Sequence, residues 1–157
     1  MNIYFDCKFT NFERNSDLIS LGLITENGDK FYAEFIDYNR EFLTQKVKDE
    51  VISNLWATSK GYDAFNESDY FVIGTKKEIT SKLEEFLSNI LKDYEITFVT
   101  NSCKKKFSSL IDLLWSIPNF IHHNIRMINF VEDQNLNDMY PKNALDFAET
   151  IRSIYKK

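Results

Sequence analysis

The chain switches between short apolar runs and amphipathic stripes, and each change of period marks an element. Residues 2–7, Asn2-Ile3-Tyr4-Phe5-Asp6-Cys7, are apolar and aromatic around one acid, as in a buried strand. Residues 17–25 are almost continuously apolar, as in a central strand covered on both faces. The Asn27-Gly28 pair that follows is a tight-turn signal. Residues 30–37 then alternate, with Phe31, Ala33 and Phe35 on one face and Tyr32, Glu34 and Ile36 on the other. This opening predicts a three-stranded antiparallel meander.

The period then becomes helical. Leu43, Val47, Val51 and Leu55 recur every fourth residue, which predicts a helix over 40–56. Residues 58–70 are polar, carry Gly61 and read as a loop. Thr75-Lys76-Lys77-Glu78 has the form of a capping box, followed by a core-facing stripe of Ile79, Leu83, Phe86, Leu87, Ile90 and Leu91. Residues 94–100 predict a fourth strand and 126–131 a fifth. Between them Phe107, Leu110, Ile111 and Leu114 mark a helix that ends before Pro118. Pro141 suits the first turn of a last helix, with Leu145, Ala148, Ile151 and Tyr155 facing inward. The expected fold class is therefore α/β. A single domain over 1–157 would carry a five-stranded mixed sheet, an antiparallel meander and flanking helices.

Composition narrows the function classes. A chain of 157 residues, 43% hydrophobic and 15% aromatic, can bury one sizeable core and is not of a disordered type. A net charge of −5 argues against a generic nucleic-acid coat, while leaving room for a local basic patch. Cys7 and Cys103 supply neither a disulfide framework nor a zinc spacing. The expectation is two reduced thiols in a cytoplasmic protein, with no signal peptide and no membrane span. Adjacent His122 and His123 point in different directions and read as a surface loop. Trp56 and Trp115 fall at helix ends and read as packing residues.

The first strand carries the candidate chemistry. Alternation places Asp6 and residue 8 on one face. Two acids at that spacing would hold a divalent metal, but the second position here is Lys8.

At this point the chain resembles the small bacterial and phage 3′–5′ exoribonucleases of the DEDDh class, which have a ribonuclease H-like fold. The resemblance rests on Phe5-Asp6-Cys7-Lys8-Phe9-Thr10, on Leu18-Ile19-Ser20-Leu21-Gly22-Leu23-Ile24, and on Gly28-Asp29-Lys30-Phe31-Tyr32-Ala33-Glu34-Phe35. It continues, more weakly, in Thr100-Asn101-Ser102-Cys103-Lys104-Lys105-Lys106-Phe107 and in Lys142-Asn143-Ala144-Leu145-Asp146-Phe147-Ala148. It implies two-metal phosphodiester hydrolysis, with four carboxylates holding two Mg²⁺ ions and a His as general base. Carried over by position, Asp6 matches the first carboxylate and Lys8 the second. Lys106 stands at the middle Asp, Lys142 at the His and Phe147 at the last Asp. Asp146, one residue from Phe147, is rotated by about 100° on a helix and faces away.

These substitutions imply a catalytically inactive relative with no metal and no cofactor. Asp6 is expected to pair with Lys8 or Lys106. Lys8, Lys104, Lys105, Lys106 and Lys142 are the candidate residues for binding an anion or a partner's carboxylates. The leading expectation is a protein-binding module that neutralises a partner, such as a toxin or nuclease, in the manner of an immunity protein, antitoxin or anti-defence protein. One alternative is a non-cleaving binder of RNA or single-stranded DNA, using the lysines with Phe9 or Phe12 as stacking platforms. Another is a residual Mg²⁺-dependent 3′–5′ exoribonuclease. The aromatic front segment could also form a homodimer surface.

Overall fold

The computed structural model describes residues 1–11, 13, 15–56, 70–91, 95–101, 104–117, 125–130 and 143–155. In chain order the elements are β1 (Asn2–Phe9), β2 (Leu18–Thr25), β3 (Lys30–Phe35), α1 (Gln45–Glu50), β4 (Tyr70–Gly74), α2 (Lys76–Leu91), β5 (Ile96–Asn101), α3 (Lys104–Trp115), β6 (Ile125–Phe130) and α4 (Ala144–Tyr155).

The meander forms as the alternation predicts. β1 pairs antiparallel with β2, and β2 with β3. Gly28, at φ +107°, makes the β2–β3 turn in a region that side chains disfavour. On its other side β1 runs parallel to β5, and β5 parallel to β6. The five expected strands are thus present in a mixed sheet. A sixth, β4, runs parallel to β3, so the order is β4-β3-β2-β1-β5-β6. The sequence reading missed this strand because its apolar run is short and abuts the polar stretch assigned to a loop.

Helices cover both faces. Ile3, Phe5, Cys7, Leu21, Phe31 and Phe98 pack against Ile79, Leu83 and Leu87 of α2 and Leu110, Leu113 and Leu114 of α3. Tyr4, Ile24, Tyr32 and Val99 face Trp56 and the buried side of α4. The capping box at Thr75 is present: Glu78 Oε2 accepts from Thr75 N at 2.7 Å and from Thr75 Oγ1 at 2.8 Å. Trp115 differs from expectation, standing 69% exposed.

The helix expected over 40–56 is broken. A 3₁₀ turn at Arg40–Phe42 gives way to α1 and then to a second 3₁₀ turn at Ile52–Asn54. Thr44 restarts the helix by accepting from Val47 N at 3.3 Å. An every-fourth-residue stripe also drifts by about 40° per step, too far for one straight helix to keep it buried. Val47 and Leu55 still reach Ile19 on the sheet, while Leu43 and Val51 are only partly covered. The loop over 58–69, Phe12, Cys103, Pro118, His122, His123, Pro141 and Lys142 lie outside the described residues.

Gly22 sets how closely α4 sits on the sheet. A Cβ there would stand 2.5 Å from Ala144 C and from Leu145 Cα. Backbone cannot yield as a flexible side chain does. Gly22→Ala is therefore expected to lower stability by about 3 kcal/mol or more, read as a fall in the urea midpoint at unchanged slope.

Candidate functional site

Three segments meet where β1 runs out beneath α4. Asp6 and Lys8 share a face of β1, and Asp6 is opposite Gly22. Thr100 Oγ1 donates to Phe5 O at 2.7 Å, holding β5 to β1 where their ladder ends. This places Asn101 and the first turn of α3 beside Asp6. The close approach of α4 at Gly22 brings Phe147 over the same point.

Asp6 is fully buried, and each oxygen is met by a different ammonium group. Lys8 Nζ stands 2.9 Å from Oδ2 and Lys106 Nζ 2.5 Å from Oδ1. Both are short charge-assisted contacts, and both lysines favour the ionised carboxylate. Lys106 Nζ also donates to Asn101 Oδ1 at 2.7 Å. The Phe147 ring lies under both cations, with centroid distances of 4.9 Å to Lys8 Nζ and 5.0 Å to Lys106 Nζ. Burial pushes the Asp6 carboxyl up, but Lys8 and Lys106 outweigh it and hold the group below its usual range.

The lysine run does not act as one patch. Lys104 is exposed. Lys105 Nζ donates to Asn11 O at 3.2 Å and Glu13 O at 2.7 Å, and lies 4.4 Å from the Phe9 ring centroid. Phe9 therefore already has a cation over its ring. Only Lys106 joins Lys8 at Asp6, and Lys142 is not among the described residues. Asp146, expected to face away from Asp6, is engaged in the helix cap. It accepts from Asn143 Nδ2 at 2.6 Å, while its own N–H donates to Asn143 Oδ1 at 2.9 Å. That reciprocal pair caps α4 and fixes where Phe147 falls. Asp112 is exposed and lines a separate cleft with Asp17, Asp37 and Lys76.

A second buried carboxylate lies on this face and was not singled out from sequence. Glu34 is 4% exposed. Tyr32 is hydrogen-bonded to it, and the Tyr32 hydroxyl accepts from Trp56 N at 3.5 Å. Burial, then the Glu34 charge, push the Tyr32 phenol far above its ordinary range. The sequence signal was the alternation that set Glu34 beside Tyr32, but nothing local says that this face is covered.

The donor set does not suit a divalent cation. It offers one carboxylate, already met by two ammonium groups, and one amide oxygen held by Lys106. A divalent ion here would face two like charges, each contact costing about 8 kcal/mol at about 4 Å and a surface-like dielectric, twice the value for a pair of unit charges. Among the described residues no group of three His, Cys, Asp or Glu is gathered to hold a metal. Among them, too, no helix is long and apolar enough to cross a membrane. No model of a known protein family matches the chain, and no curated protein does.

The Asp6 cluster makes stability depend on acid in a defined way. Its folded carboxyl value lies below the unfolded one of about 3.9. Its contribution is full above the unfolded value and is lost as pH falls through the folded one. In Lys8→Met one cation is gone and burial weighs more heavily. The acid-unfolding midpoint should rise by about one pH unit or more, followed by circular dichroism. An unchanged midpoint would show that Lys8 does not govern Asp6.

Proposed function

We propose that this chain is a catalytically inactive relative of the DEDDh exonucleases, with a ribonuclease H-like fold, acting as a protein-binding module that neutralises its partner. The meander followed by parallel strands, with helices on both faces, is in keeping with that fold. The observation that carries the reading is the state of Asp6. Both of its oxygens are met by the chain's own lysines, at the position where the resemblance puts a metal-binding carboxylate.

Phe147 strengthens it. Where the resemblance expects another metal-binding acid, a buried aromatic ring packs under the two ammonium groups. Lys8 and Lys106 have side chains only 18% and 16% exposed, so the cluster turns little charge outward. A surface of net acidic charge suits a partner with a basic, substrate-binding groove, and it speeds their encounter.

Two measurements test the reading together. Incubation with short RNA and Mg²⁺ or Mn²⁺ should give no hydrolysis above that of Asp6→Ala, and a tagged chain should retain a specific protein from its own host. Metal-dependent cleavage abolished by Asp6→Ala would overturn it. Salt-sensitive RNA binding without cleavage, lost in Lys106→Glu, would move the function to the nucleic-acid alternative.

A further inference from the structure

The buried charges on the Asp6 face do not close on Asp6 alone. Two ammonium groups meet one carboxylate there, which leaves one positive charge over. Register supplies a candidate for the remainder. Lys8 is paired with Ser20, and Ser20 with Glu34, so the three form one row across β1, β2 and β3 on one face. First and third strands are about 10 Å apart, a gap that a lysine and a glutamate side chain span between them. Ser20 between them is small and fully buried. Of the other described charges near α4, Asp146 is engaged with Asn143 in the helix cap, while the Lys30–Glu149 pair and Arg152, bonded to Glu26 O, sit at the β2–β3 turn end of the sheet.

We propose that Glu34 is the second internal anion of this site, so that Asp6 and Glu34 together balance Lys8 and Lys106 and close the lysines to outside anions. Tyr32 and Trp56 act as positioning residues: the Tyr32 hydroxyl bonds to Glu34 and is itself held by Trp56 N–H. A buried carboxylate needs such a partner and a nearby cation, because an uncompensated charge is costly away from water. The row also explains why the lysines are so little exposed in a chain whose surface is acidic. The site keeps its own counter-ions inside.

The inference rests on the non-catalytic reading, but its test is separate, since RNA hydrolysis probes that reading and a mutant cycle probes the pairing. Unfolding constants are measured in urea for the wild type, Lys8→Met, Glu34→Gln and the double variant. The double variant should fall short of the product of the two single losses by about fivefold or more. Multiplicative losses, within about twofold, would overturn the proposal. If Glu34→Gln alone does not fold, recovery of folding in the double variant supports the pairing and continued failure overturns it. Inorganic phosphate supplies a readout that a purely structural role would not move. Glu34→Gln should bind it about tenfold more tightly than wild type, as expected for loss of one nearby unit charge. Equal affinity overturns the proposal.

Discussion

A carboxylate taken wholly out of water must be met by opposite charge, and at Asp6 that demand organises the surrounding structure. Lys8 comes from the same strand. Lys106 comes from a helix that must start immediately beyond β5, and Asn101 must stand at the strand end to receive its second hydrogen bond. Phe147 must lie flat against both cations, which requires α4 to cross β2 at backbone contact distance. Gly22 permits that crossing. The ion cluster, the glycine and the helix cap at Asn143 thus meet in one arrangement. Such clusters contribute less through net Coulomb gain than through the cost of breaking them, since any single removal strands a buried charge.

Much of this was legible in the sequence because it is local. Period-two alternation puts Asp6 and Lys8 on one face whatever surrounds them, and it sends Cys7 to the opposite core. The Asn27-Gly28 turn and the capping box at Thr75 are chemistry of adjacent residues. What was illegible depends on covering by distant segments. Glu34 sits in an alternating strand, where a charged residue normally marks the solvent face. Its face is covered in part by Trp56, which packs on Tyr32 beside it. β4 was hidden for a related reason, since a short strand is recognised by the neighbour it pairs with. The stripe over 43–55 was real, but its spacing does not say whether the backbone beneath it is continuous.

Lys104, Lys105 and Lys106 show how little a charge run says about its use. Three adjacent ammonium groups have three surroundings: solvent, the carbonyls of a loop, and a buried carboxylate. Helical rotation of about 100° per residue is enough to separate them. A uniform basic patch would need them on one face, and the helix denies it. The same geometry gives α3 two anchors within one turn, Lys105 to the carbonyls of Asn11 and Glu13 and Lys106 to β1.

The distance along the chain between these partners has a kinetic consequence. Lys8 is beside Asp6 as soon as β1 extends, but Lys106 arrives about a hundred residues later, and Phe147 later again. A nascent chain halted before α3 would leave Asp6 Oδ1 without the ammonium group that meets it in the fold. Contacts of such long range slow the search for the native topology. The surroundings of residue six are therefore completed by the carboxy-terminal half of the chain.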